Sequence, residues 1–258
     1  MIHRVEELPP LDTLFSGQEA AKLRMESALC AYGTGRPFLS LYFQESGGRM
    51  SAAFTCMDGA ASVLSGPLTD WEELSSMLRA LGCTQVFCER PAPSGIMTPL
   101  DTGPVLRCCP GDAPEMDDAR YDPSPTALYP VLAAAFGKQV LPPFDAWYPD
   151  FSHRQRHGTA HSVLLQDKAG ADAACALALT AGRGAYISGL AVLPGLQGQG
   201  FGGRALGALL HHLRRKGYTA VFACTPDPAR ERFYLNRGFT GYGRFYRYLP
   251  AAARKDDT

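Results

Sequence analysis

The stretch Val192-Leu-Pro-Gly-Leu-Gln-Gly-Gln-Gly-Phe-Gly-Gly-Arg204 concentrates the chain's clearest chemical signal. It lies between a strand-like run, residues 185–193, and a helix-like run, residues 203–216. A glycine-rich turn from a strand into a helix presents backbone N–H groups at the positive end of that helix, and these bind a phosphate or diphosphate. Gly198, Gly200 and Gly202 remove the side chains that would hold a ligand off the backbone.

Three glycine-rich signatures compete for this loop. Gly198-Gln-Gly-Phe-Gly-Gly203 satisfies G-x-G-x-x-G, the dinucleotide fingerprint, and Asp227 stands near enough to imitate its ribose-binding acid. That fingerprint should follow its strand at once and open a long βαβ series. Here Pro194-Gly-Leu-Gln197 intervenes and little chain follows. The phosphate loop of nucleotide hydrolases needs Lys and Ser/Thr after its last glycine, and Arg204-Ala205 stand there. The third signature fits best. Leu190-Ala-Val-Leu-Pro-Gly-Leu-Gln-Gly-Gln-Gly-Phe-Gly202 resembles motif A, Q/R-x-x-G-x-G/A, of the GCN5-related N-acetyltransferases (GNAT), with Gln197, Gly200 and Gly202 at the named positions. Further on, Arg232-Phe-Tyr-Leu-Asn-Arg-Gly-Phe239 resembles the family's late FY-x-x-x-GF segment.

This resemblance covers the C-terminal half and implies an acyl-CoA N-acyltransferase fold, a mixed, mostly antiparallel α/β sheet with flanking helices. It implies acetyl-CoA as acetyl donor to a primary amine of an unidentified acceptor, a small molecule or a peptide. By the same resemblance the cofactor lies along the backbone of Leu190, Ala191 and Val192 and over Gln197, Gly198, Gln199, Gly200, Phe201, Gly202 and Gly203. Gly189 is placed to bulge the strand and open a slot beside it. Tyr234 takes the position of the family's general acid, four residues before Gly238. A phenol of ordinary pKa ~10 stays protonated at neutral pH and can donate to a thiolate whose conjugate acid is ~8.5. Two other readings stay open: a non-catalytic acyl-CoA-binding or sensor module, and a dinucleotide-dependent oxidoreductase.

The acceptor side is less legible. Residues 142–158 are dense in aromatics and charge and precede the strands of this half. Trp147, Tyr148, Asp150 and His153 are its candidate acceptor-binding residues. Pro149 predicts a bent segment rather than a plain helix. A surface crossing whose aromatics cap the core accounts for the same composition. The general base is unassigned, with His153, His157, His161, Asp145 and Asp150, or a chain of waters, as candidates. His153 and His157, four apart, have no third ligand at zinc-like spacing, and Arg154 and Arg156 oppose a cation, so no metal is expected. His211-His212 reads as the solvent side of the long helix, and Arg230, Arg232 and Arg237 as a solvated face or, alternatively, as a cluster that reaches the nucleotide phosphates.

The whole chain sets the outer bounds. With 258 residues it suits two domains, read as 1–115, a degenerate acetyltransferase-like or unrelated α+β domain without the cofactor loop, and 116–258, the catalytic domain. A formal net charge of zero gives no electrostatic case for nucleic acid or an anionic membrane. No apolar run approaches a membrane span, and the polar start is unlike a secretory signal. Eight cysteines in apolar, strand-like contexts read as buried free thiols of a cytoplasmic protein. The oligomeric state is not encoded in any motif.

Periodicity and turn residues predict the elements that position this chemistry. In the first half they give a helix over 15–32 capped by Ser16, strands at 37–44, 49–57 and 60–64, a helix capped by Thr69 or Asp70, and a strand at 84–88. Residues 90–120 read as a linker with one strand-like piece at 105–108. The second half predicts a helix from Ser124 to Gly137, strands at 161–166, 171–180 and 185–193, the long helix, and a strand at 219–224. A short helix at 227–236 and a strand at 242–248 close the chain.

Overall fold

The computed structural model describes residues 1–6, 15–111, 116–137 and 141–250. The domain boundary expected at residue 115 lies outside them. In chain order the first elements are β1 (Ile2–Val5), α1 (Glu19–Tyr32), β2 (Leu39–Ser46), β3 (Arg49–Met57), β4 (Ala60–Ser65), α2 (Trp71–Ala80), β5 (Gln85–Cys88) and β6 (Met97–Cys108). Then come β7 (Ala119–Tyr121), α3 (Pro125–Phe136), α4 (Phe144–Arg156), β8 (Ala160–Gln166), β9 (Asp172–Ala181) and β10 (Gly184–Val192). The chain closes with α5 (Phe201–Arg215), β11 (Ala220–Cys224), α6 (Pro228–Leu235) and β12 (Thr240–Pro250). The mixed, mostly antiparallel sheet with flanking helices expected from the sequence is present. No described helix is long and apolar enough to cross a membrane.

Two compact units share these elements. The first contains residues 1–106, 224–232 and 241–258, and the second 107–223 and 233–240. Strand order in the first is β1-β2-β3-β4-β5-β12-β6, so the last strand of the chain lies inside the sheet begun by the first. The second runs β11-β10-β9-β8-β7. Each unit repeats one scheme, with one helix (α1) in the first or two (α3, α4) in the second followed by three antiparallel strands, a helix, and a strand parallel to the third.

Several sequence expectations are corrected. α1 begins at Glu19, because Ser16 and Gly17 form a turn and Gln18 takes the N-cap position without capping the helix. Both polar atoms of the Gln18 amide serve the Ser65 backbone instead, at 3.0 Å each. β6 extends to Met97 through a stretch read as linker. Residues 144–156 form a helix despite Pro149. Its missing amide bond is outweighed by packing: Phe151 is buried, Trp147 stacks on it at 5.0 Å, and Arg154 reaches back to Asp150 at 2.7 Å. Asp70, not Thr69, caps α2, accepting from the amides of Glu72 and Glu73. All eight cysteines are free thiols, but Cys30 and Cys109 are exposed rather than buried.

In the second unit α3 packs Leu128, Val131 and Leu132 on Leu164, Cys175, Leu177 and Ala191. The period-two pleat then turns Ala174, Ala176 and Ala178 to the opposite face. α5 lays its buried row Ala205, Leu206, Leu209 and Leu213 on β8, β9 and β10. α4 packs on α3 and β8.

Candidate active site

The site is set by where β10 leaves its neighbour. β10 pairs with β9 as far as Val192↔Ala174, but its parallel ladder to β11 is limited to Gly184↔Ala220, Ala185↔Val221 and Tyr186↔Phe222. The register against β9 shifts between Ile187 and Gly189, a bulge at the point of divergence. A Cβ on Gly189 would meet only Leu177 and Leu132 at ordinary contact distances, so the bulge rather than crowding explains this residue. Past it, Leu190 and Val192 are half-buried and Ala191 is buried. Divergence leaves backbone groups there without a β11 partner, the condition for adding an extended ligand as a strand.

A single 3₁₀ turn, Pro194–Leu196, leads from β10 into the glycine loop. Gln197 folds back to donate to the Val192 carbonyl at 3.3 Å, and Gln199 donates to the Gly195 carbonyl at 3.1 Å. Gly198 and Gly200 take φ of +78° and +87°, a left-handed conformation that side chains other than those of Asn and Asp rarely enter. Gly200 is the N-cap of α5 and offers no side chain to the first-turn amides. That turn, which includes Phe201, Gly202 and Gly203, holds no acidic residue. Donors with no capping side chain at the positive end of a 15-residue helix are an anion-binding arrangement.

Residues 233–240 close over this helix start. A Cβ on Gly202 would touch Val192 and Phe233 at 3.5–3.8 Å. One on Gly203 would run into the Arg237 guanidinium at 2.6–3.1 Å. Arg237 lies 3.8 Å above the Phe233 ring and donates to the Phe233 carbonyl at 3.0 Å. Arg237 is exposed, as a solvated face requires, and also stands beside the anion-binding turn. Its spacing of four from Phe233 was the available signal. Tyr234 is buried, with its ring edge-on to Phe233 and Phe239 at 5.3 and 5.1 Å.

The four candidate acceptor residues all lie on α4. Trp147 belongs to the edge of the core, Tyr148 rests against Phe144 at 5.2 Å, Asp150 is paired with Arg154, and the His153 ring lies 4.2 Å from His157. The solvent placement expected of His212 is overturned. It follows the buried Ala205 and Ala208 by seven and four residues, on the margin of the buried stripe, and its Nε2 meets Asp122 at 2.8 Å.

The first unit repeats the divergence but closes it. β4 pairs with β5 only to Val63↔Cys88, and past that point Gln18 satisfies the Ser65 backbone. α2 is capped by its own Asp70 and carries Glu72 and Glu73 in its first turn, where an anion would have to sit.

The profile of the acetyltransferase (GNAT) family matches residues 127–239. That match marks a GNAT domain at residues 127–239. No curated protein matches the sequence. Among solved structures, a tandem GNAT protein from the clavulanic acid biosynthesis pathway, without acetyl-CoA, is similar in fold over 98% of this chain and 100% of its own, at 15% identity and TM-score 0.55. A GCN5-related N-acetyltransferase from Sphaerobacter thermophilus covers 96% of this chain and 94% of its own, at 14% identity and TM-score 0.59. Another, from Kribbella flavida, covers 92% and 98%, at 16% identity and TM-score 0.60. The chain thus has a tandem GNAT-like fold along nearly its whole length, with the glycine loop and Tyr234 inside the matched GNAT domain.

Proposed function

We propose that this chain is a cytoplasmic N-acetyltransferase that moves an acetyl group from acetyl-CoA to a primary amine of a small molecule or peptide. The observation that carries this reading is the uncapped, acid-free start of α5 beneath the glycine loop, next to a strand that has left its parallel neighbour. Acetyl-CoA supplies an acyl group already activated as a thioester. The first-turn amides of α5 hold its diphosphate, with Arg237 adding positive charge at Gly203. The backbone of Leu190, Ala191 and Val192 aligns the extended arm and offers an amide to the acetyl oxygen. The Tyr234 hydroxyl gives its proton to the departing sulfur. The second unit, which lies within the expected domain of residues 116–258 apart from its start at residue 107, acts as the catalytic part. The first unit, with Gln18 in its slot and Asp70 on its helix, takes no acyl-CoA.

Gly200→Asp tests the reading. Aspartate tolerates the left-handed conformation and places a carboxylate where the diphosphate would lie. Isothermal titration should show CoA binding lost in a variant whose melting temperature is within a few degrees of the parent. Unchanged affinity in the folded variant overturns the assignment. A thiol-release assay over a panel of amines should show turnover with acetyl-CoA, and binding without thiol release would mark a sensor instead.

A further inference from the structure

Far along α5 from the glycine loop, side chains from three separate parts of the second unit converge. His212 lies eleven residues beyond Phe201, about 16 Å along the helix at 1.5 Å per residue. Its Nε2 is 2.8 Å from Asp122 Oδ2, and His161 Nδ1 approaches the same oxygen at 3.1 Å. We propose that Asp122, His161 and His212 bind a divalent metal ion of the zinc class. The ion would tie the end of β7 to β8 and α5.

The donor set suits such an ion: two imidazole nitrogens and a carboxylate oxygen, all within 4.8 Å of one another. Tetrahedral zinc with ligands at about 2.0–2.2 Å separates them by roughly 3.3 Å. Both oxygen–nitrogen distances need widen by only a few tenths of an ångström. Each ligand is also oriented from behind. The Ser162 amide donates to Asp122 Oδ1 at 2.9 Å, leaving Oδ2 for the ion. His161 Nε2 lies 3.3 Å from the Tyr218 hydroxyl, which can accept its N–H when Nδ1 ligates the ion. That hydroxyl is in turn 3.1 Å from Thr180 Oγ1. The Tyr121 ring lies 5.1 Å from that of His212.

Asp122 holds a left-handed backbone, φ +47°, uncommon for a residue with a side chain, while its amide donates to the Ser162 carbonyl at 2.8 Å. The neighbouring cations do not compete for it, since Arg120 pairs with Asp172 and Arg204 with Asp118. His161 is buried, whereas Asp122 and His212 keep side-chain exposures of 26% and 12%, so the cluster is reached from solvent. His153 and His157, the pair suggested by spacing, are not part of this cluster.

The test uses the full chain, stripped with a chelator and titrated with Zn²⁺ and Co²⁺. One equivalent should bind, Zn²⁺ should raise the melting temperature, and the cobalt protein should show a tetrahedral d–d spectrum without a thiolate charge-transfer band. His212→Gln and Asp122→Asn should each weaken binding at least ~10-fold and abolish the zinc-dependent rise in melting temperature. Failure to bind one equivalent, or equal affinity in either folded variant, would show a hydrogen-bonded hub only. A thiolate band would place the ion at cysteine. The cobalt spectrum of the parent needs no variant, so a poorly folding substitution still leaves the proposal open to refutation.

Discussion

Tyr234 keeps its packing if only its hydroxyl is removed, because the Phe233 and Phe239 contacts involve the ring. General acid catalysis is typically worth about 10²–10⁴-fold. Tyr234→Phe should therefore lower kcat on that scale with little change in the KM for acetyl-CoA, as measured by steady-state thiol release. Turnover near the parent value, with chemistry rate-limiting, would place the proton donor elsewhere. At this scale the sequence was legible wherever function needs a fixed spacing along the chain. The loop glycines and Tyr234 were nominated that way. The Asp122 cluster was not, because its partners His161 and His212 come from distant residues. A histidine at the margin of a buried stripe differs from a surface one by a fraction of a helical turn, which spacing alone does not resolve.

At the scale of elements, α4 shows packing overriding a local signal. Its proline predicted a bend, yet Trp147, Phe151 and Arg154 hold a helix against the core. Trp147→Ala should cost about 3 kcal/mol and lower the melting temperature by several degrees. Tyr148→Ala, at a half-buried site, should chiefly raise the acceptor KM. Equal losses of stability without an acceptor effect would make the helix purely structural. α1 shows a cap supplied from a distance. Glu89, just after β5, accepts from the Ala21 amide at 2.7 Å, although 68 residues separate them. Burial pushes its carboxyl up to about 7, against the pull of the Ala21 and Ala20 amides. A carboxyl whose folded pKa is raised favours folding most when protonated. Its contribution is complete below the ordinary value of 4.5 and is lost as pH rises through about 7. Glu89→Gln should flatten the stability profile across that window and leave the variant more stable at pH 8, by about 3 kcal/mol at most. Denaturant melts at pH 4.5, 6 and 8 would check this, and a parent profile without that fall would refute it.

At the scale of the molecule, the repeated order of helix, three strands, helix and strand was readable in both halves because hydrophobic period and turn residues are local. The place of β12 was not. Nothing in a short alternating run states which sheet will receive it, and it lies between β5 and β6 in the unit that the chain began with. Tyr246, Arg247 and Tyr248 pair with Cys88, Phe87 and Val86, and the Phe245 ring stacks on Phe87 at 5.6 Å. Truncation after Phe239 should therefore strip the β5 edge and expose Phe87, so the shortened chain should aggregate or melt far below the parent. A soluble truncation with an unchanged melting curve would contradict this.

The same placement bears on how the protein is made. During translation the last piece of the second unit, residues 233–240, is synthesised before the last piece of the first, residues 241–250. The unit started second is thus the earlier to have all its parts. The β5 edge of the first unit must wait unpaired while residues 89–240 are elongated past it, and an unpaired strand edge is the kind of surface on which folding chains aggregate.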